Sequence, residues 1–487
     1  MSKIIVVGTG MGSLSAAALL TKQGHQLTIL EQNYLPGGCS SSYYRQGFIF
    51  ESGATTLVGF DKDMPLRYLF DEIGLEIDTE LLKVPMQVHL KNGETLIRYN
   101  DLEQWISEAE RVFGIKSQRS FWKFCFKISK FVWESSLKQK AFPPTSISDL
   151  FSLAASFRPE QLKKIPWAFY SMDYLLKRFG LNDNQLFVDF INEQLLITAQ
   201  NFAGEVNVLF GATALCYTNF GNYYVYGGMI QMVKKICDYL EMKGSIMHFR
   251  TRVESVKFEK GQYLVQTNNE SFSCDKILFG IPINNVLEIF QNEKMIKKYK
   301  KHTLDSSKLY SAFQIGIGFK RPKDFEPQAL HHQVHLKEPL PNIGAASVFL
   351  SYSHPIDWYR APLDKMVASV SCHIPNPSPE QDIDKDALAE IVLDELDRKG
   401  LIPRTAIEYF HVSAAAAWER WTGRKYGFVG GYPQYMRTKP WQMIDARLDG
   451  RGAFICGDSA YPGQGIPGVA LSGINAFYKM NAVGLRK

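Results

Sequence analysis

Residues Lys3 to Ser13, read together with Glu31, leave this chain little choice of opening fold. Lys3-Ile4-Ile5-Val6-Val7 is rich in β-branched apolar residues and predicts a buried strand. Gly8-Thr9-Gly10-Met11-Gly12-Ser13 then reads as a tight turn opening an apolar helix, and Leu27-Thr28-Ile29-Leu30 as a second strand ending at Glu31. Such a unit aims free helix N–H groups at a pyrophosphate: Gly8 allows the turn and Gly10 lets the backbone approach the phosphates. Glu31 is placed to accept hydrogen bonds from ribose hydroxyls. The third glycine of the pattern would fall at Ser13, which predicts slightly looser packing of helix on strand.

The distant segment Ala453-Phe454-Ile455-Cys456-Gly457-Asp458 reads as another strand with a carboxylate at its end. Asp458 can take hydroxyls of a sugar or ribityl chain, and the glycines of Pro462-Gly463-Gln464-Gly465 carry the backbone past a flat ring. A helix expected from near Gly468 would point its positive end at the ring and stabilise negative charge on a reduced flavin. Between the two ends, Pro36-Gly37-Gly38-Cys39-Ser40-Ser41-Ser42 and Gly53-Ala54-Thr55-Thr56 have the small residues that let a backbone wrap a ligand, although an ordinary loop has them too. The paired ends favour a flavin.

A length of 487 residues allows two or three domains, and 45% hydrophobic with 21% charged residues describes an ordered globular chain. The net charge of +6 is too diffuse to argue for nucleic acid, and no nucleic-acid-binding module is visible. The 7 cysteines form no CxxC pair and are odd in number, which predicts reduced thiols and a cytoplasmic setting. An N-terminal strand leaves no room for a signal peptide, and no run of about 20 apolar residues would span a bilayer.

From about 100 to 225 the chain reads as helical, with Phe121, Trp122, Phe124, Phe126, Phe131 and Trp133 among Lys123, Lys127 and Lys130. Basic aromatic helices either lie in a membrane interface or bury their aromatics and solvate their lysines. His331, His332 and His335 lack the cysteine or carboxylate companions of a metal site, so they read as surface or strand histidines and no metal is expected.

Four motifs make the chain resemble the flavoprotein family of phytoene desaturases, carotenoid isomerases and related carotenoid oxidoreductases. They are the Gly8 turn with Glu31, the Pro36-Gly37-Gly38 loop with Gly53-Ala54-Thr55, Trp418 to Gln434, and Gly457-Asp458 with Pro462-Gly463-Gln464-Gly465. The last looks most like the isomerase and cyanobacterial-type desaturase branch, and the match is weakest over 100–220. The resemblance implies FAD. Glu31 and the Val253 backbone would contact adenosine, and Gly8, Gly10 and Gly12 the pyrophosphate. Asp458 would serve the ribityl–pyrophosphate region, with Gly468, Val469 and Ala470 beside the isoalloxazine. Met11, Ser13, Gly37, Gly38, Cys39, Ser40, Thr55 and Gly457 complete the expected cofactor-contacting set. Many related flavoenzymes carry a basic residue after Gly37-Gly38; here it is Cys39.

The expected fold is therefore α/β. A Rossmann-like FAD-binding domain would run discontinuously over 1–85, 225–290 and 440–487. A substrate domain of mixed sheet and helices, with a region that could face a membrane, would occupy 86–224 and 291–439. The favoured activity is desaturation of a carotenoid or related polyisoprenoid, with N5 of FAD accepting a hydride from an allylic carbon while a neighbouring proton is lost. No second glycine fingerprint would seat NAD(P), so a quinone, oxygen or another carrier would receive the electrons. Glu419, Arg420, Arg424 and Tyr426 fall near the expected flavin and read first as structural; Glu419 and Tyr426 are the candidates for taking the proton. Three rivals stand beside this reading: cis–trans isomerisation with reduced FAD, an amine oxidase-type flavoenzyme, and a prenyl-binding protein like the Rab GDP-dissociation inhibitors. The intact Gly8, Glu31 and Asp458 set argues against the last. Peripheral contact with the inner face of a membrane goes with a polyene substrate.

Overall fold

Strand β1 (Ile4–Val7) is buried on both faces, as its unbroken apolar run requires. Ile4 and Val6 enter one core and Ile5 and Val7 another. The computed structural model describes residues 2–156, 159–323 and 325–484. After β1 come α1 (Met11–Lys22), β2 (Leu27–Leu30), β3 (Ile246–His248), β4 (Lys276–Phe279), β5 (Ala453–Ile455) and α2 (Ile466–Gly484), with other elements between them. The strands form one parallel sheet in the order β3-β2-β1-β4-β5. Three distant parts of the chain therefore build a single dinucleotide-type sheet.

The expectation of loose packing at Ser13 is corrected. The Ser13 hydroxyl donates to the carbonyls of Gly8 (2.7 Å) and Gly10 (2.9 Å), tying the turn to the helix. Room for it comes from Gly280, just beyond β4: a Cβ there would fall 2.6 Å from that of Ser13. The glycine that normally sits on the helix sits here on the neighbouring strand's continuation.

A second, seven-stranded sheet runs Ile407–Ser413, Tyr310–Lys320, Lys365–Pro375, Ser347–Tyr352, His331–His335, Met86–His89 and Thr95–Arg98. One face packs Ile315, Ile317, Leu350, Ala368 and Val370 against helix Lys385–Arg398. Beside the sheet, helices Leu102–Phe113, Gln118–Ser136, Gln185–Ala199 and Val208–Leu215 enclose an aromatic core in which Trp105 and Trp122 meet edge to face at 4.8 Å. Arg98 is buried there, 4.1 Å over the Trp105 ring, with hydrogen bonds to Gln194, Leu215 O and Thr218. Phe121 and Trp122 are thus core, while Lys123 and Lys130 pair at the surface with Glu103 and Glu134. Ile147, Leu150, Phe151, Leu162 and Phe169, further along the chain, are among the exposed apolar side chains. Among the described residues, no helix is long and apolar enough to cross a membrane, none of the cysteines is paired, and no cluster of residues could hold a metal.

His331, His332 and His335 are buried strand residues rather than surface ones. Burial pushes the imidazoles of His331 and His335 down to about 4 and that of His332 to about 3; His373 is likewise held at about 4. The unfolded chain binds protons that these rings refuse, so stability is lost as pH falls below their unfolded value near 6.5. Each ring contributes about 1 kcal/mol between pH 6.5 and 5.5, the slope approaching about 1.4 kcal/mol per pH unit only below that. Together they should lower Tm by roughly 5 °C between pH 6.5 and 5.5 for a chain of this size. Thermal unfolding followed by circular dichroism checks this; a flat Tm over that interval contradicts it.

Candidate active site

The two sheets border one cavity of about 620 Å³. Its first part is a backbone cradle. Gly8 turns the chain off β1 with φ +88°, a left-handed conformation that favours glycine, and its N–H donates to Leu30 O. Gly10 caps α1 without any side chain over the first-turn amides, so these N–H groups open on the cavity beside Gly10, Met11 and Gly12. They carry the positive end of the helix dipole.

Glu31, buried at the end of β2, is well satisfied by its own chain. Its carboxylate accepts from Thr9 N and Thr9 Oγ1 and, through the other oxygen, from Asn33 N. Thr9 Oγ1 in turn accepts from Gly37 N, which draws the Gly37–Ser40 loop over the turn. Burial raises the Glu31 pKa against these hydrogen bonds. Helix Ala415–Thr422 braces the same loop: Trp421 Nε1 donates to Gly38 O, and Asn33 donates to Trp421 O.

The C-terminal half closes the cradle. Gly457 adopts φ +109°, and a Cβ there would meet nothing within 4 Å, so the cradle is open at this point. The Asp458 carboxylate, only 6% exposed, lies 2.6 Å from Arg424 Nη1. α2 begins at Ile466, two residues before the expected Gly468; Gly468 and Val469 border the cavity, while Ala470 is buried behind them.

Of the residues expected at a cofactor, Gly10, Met11, Gly12, Gly37, Cys39, Ser40, Thr55, Gly457, Asp458, Gly468 and Val469 border the cavity. Gly8, Ser13, Glu31, Gly38, Val253 and Ala470 are not on that border, though Glu31 is linked through Thr9 to Gly37, and Ser13 to Gly10, which are. Neither proton-acceptor candidate borders it: Glu419 is half-buried on its helix, and Tyr426 packs beside Leu304, Leu309 and Phe428. Sequence reasoning undervalued Arg424. It borders the cavity with Cys39, and its positive charge acts on the thiol. It thus returns, from the other end of the chain, the cation missing after Gly37-Gly38. Open helix amides, an open glycine turn and this guanidinium fit a flavin dinucleotide.

Beyond the cradle the cavity widens between Phe131, Trp133, Leu209 and Phe210 from the helices and Ala312, Gln314, Phe349 and Ser371 from the seven-stranded sheet. Trp418 borders both parts and is held by its Nε1–H donating to Ala312 O. Among the described residues, the charged side chains on the border are Arg424 and Asp458, and they pair with each other.

A family model described as flavin containing amine oxidoreductase matches residues 14–476. The chain is 24% identical to the chloroplastic prolycopene isomerase of Arabidopsis thaliana, over 99% of this chain and 83% of that protein. It is 22% identical to a 4,4'-diapophytoene desaturase of Methylomonas sp, over 95% of this chain and 92% of the relative. In fold it is similar to the PF1083 protein of Pyrococcus furiosus, with TM-score 0.65 at 14% identity over 98% of this chain and 97% of the other. It is also similar to putrescine oxidase bound to putrescine, with TM-score 0.64 at 13% identity over 99% of each chain.

Proposed function

We propose, starting from the fact that this chain belongs to the flavin-containing amine oxidoreductase family, that it desaturates a carotenoid or related polyisoprenoid. The cofactor is FAD. One observation carries the reading: the cradle opens into a chamber lined in part by Phe131, Trp133, Phe210 and Phe349, whose charged neighbours pair with each other. An ammonium group would find no free carboxylate among the described residues there, which weighs against an amine as substrate. The relatives' names, prolycopene isomerase and diapophytoene desaturase, point to polyenes.

When bound, FAD supplies a two-electron hydride acceptor at the end of the chamber. The chain's own part is positioning and exclusion of water. On this reading the α1 amides and Arg424 hold the pyrophosphate, Asp458 orients Arg424 and meets hydroxyls, and the α2 N-terminus favours negative charge at the ring edge. Phe131, Trp133 and Phe210 line the polyene's path. The exposed apolar side chains Phe151 and Phe169 mark a lipid-facing entrance: the Phe169 ring lies 5.5 Å from that of Trp441, which borders the cavity.

The second reading, cis–trans isomerisation, is favoured by the prolycopene isomerases among the relatives. One anaerobic experiment separates the two, with polyenes delivered in liposomes. Oxidised enzyme with a quinone should yield a product two hydrogens lighter. Isomerisation would instead appear with dithionite-reduced enzyme as a change of geometry at constant mass, and only that result would sink the desaturase reading. Protein recovered on the floated liposomes checks the lipid-facing entrance.

A further inference from the structure

The sheet side of the cavity carries a row of small polar side chains, and the helical side brings the aromatic ones together with Thr213 and Gln139. Strand alternation puts Ser369, Ser371 and His373 on one face of Lys365–Pro375, and all three border the cavity. The register extends that face, with Gln314 opposite Ser371 and Ser351 opposite Ser369. Ala368, Val370, Cys372 and Ile374, on the other face, are packed in a core. An amphipathic antiparallel sheet usually turns its polar face to water. Here that face closes a chamber whose far side is Phe131, Trp133 and Phe210.

Two polar atoms on this side are unmet. Ser369 Oγ and Gln200 Oε1 have no hydrogen-bond partner among the described residues, yet their side chains belong to residues only 7% and 3% exposed. The Gln200 amide nitrogen is engaged, 3.2 Å from His373 Nε2. Unmet buried polar atoms are destabilising, and a pure hydrocarbon offers them nothing. A charged ligand fits no better at this wall, because the charged side chains on the border, Arg424 and Asp458, belong to the cradle and His373 is held neutral by burial.

We propose that the substrate carries a neutral oxygen, a hydroxyl or carbonyl, seated between Ser369 and Ser371, neighbours on one face of the strand, with its apolar body along the aromatic side chains. This rests on the polyisoprenoid reading and narrows it. The discriminating ligands are a conjugated polyene alcohol and the hydrocarbon lacking only its hydroxyl, each titrated into the FAD-loaded protein and read by the shift of flavin absorbance. The alcohol should bind roughly tenfold more tightly, as one or two neutral hydrogen bonds would give. Ser369→Ala and Ser371→Ala should each shrink that ratio by roughly threefold, with flavin content confirming that the variants fold; Ser371 is only partly buried, so its variant keeps the test open. Equal affinities in the parent protein, or a ratio preserved in both variants, overturn the proposal while leaving the polyisoprenoid reading intact. If neither probe shifts the flavin spectrum, that reading falls as well.

Discussion

Arg424→Ala should come off the column largely without flavin, its affinity for FAD reduced by about 10²–10³-fold. The guanidinium lies 2.6 Å from a carboxylate that is only 6% exposed, and it stacks over Phe428 at 4.9 Å. Removing one partner of a buried pair strands the other charge in a poorly solvated site, at a cost of about 3–5 kcal/mol. The stranded charge is also negative and, on the proposed placement of the pyrophosphate beside Arg424, faces it, so the penalty appears in binding as well as folding. Asp458→Asn should do less harm, since the arginine left behind still faces the anion. The double variant Arg424→Ala with Asp458→Asn should regain part of the loss, because no bare carboxylate remains. The ratio of flavin to protein absorbance, and reconstitution titrations of the apoprotein, measure all three. Full flavin content with unaltered affinity in the single Arg424 variant would show that the pair is not part of the cofactor site.

Gly473→Ala should be the most damaging one-carbon change in the cradle. α1 and α2 cross backbone to backbone, and a Cβ at Gly473 would overlap the Gly12 carbonyl oxygen. Gly12 cannot yield, because a Cβ on it would already fall 3.0 Å from Val469 O and 3.1 Å from Gly457 N. The helices must therefore part, opening the core between them and moving the α1 amides that border the cavity. Overpacking a core usually costs about 1–3 kcal/mol; contact with backbone rather than a flexible side chain puts this case at about 4 kcal/mol, the severe end of single substitutions. Gly204→Ala is the control: nothing lies within 4 Å of a Cβ there, and the change should stay within about 0.5 kcal/mol. Denaturant midpoints for the two variants decide the matter, and similar midpoints would contradict the account of the crossing.

The cradle was largely legible in the sequence because its determinants are local. A β-branched strand, a glycine turn and an acidic strand end follow one another within the span from Ile4 to Glu31, and the signal around Asp458 is equally compact. What escaped notice depends on residues that meet only after folding. Arg424 reads as one more charge in a basic segment until Asp458 is set against it. Gly280 is an ordinary residue after a strand until Ser13 fills the space it leaves, although Phe279-Gly280 repeats the strand-then-glycine pattern of Val7-Gly8. Likewise, alternation in Ser369 to Ile374 announces an amphipathic strand, but the neighbour that decides whether its polar side meets water or a cavity is far away in the chain. Helix Gln118–Ser136 allows two consistent readings from its pattern alone, and only tertiary packing shows that Phe121 and Trp122 turn into a core while Phe131 and Trp133 border the cavity.

The interleaving of β1, β4 and β5 has a consequence for biosynthesis. On the ribosome, the N-terminal strand and its turn emerge early, but their lateral partner β4 follows only after about half the chain, and β5 with α2 close to the end. Contacts of such long sequence separation fold slowly and leave unpaired strand edges exposed in the meantime. On the proposed placement of FAD, the cradle is incomplete until α2 docks on α1, so flavin capture follows that docking rather than the emergence of the glycine turn.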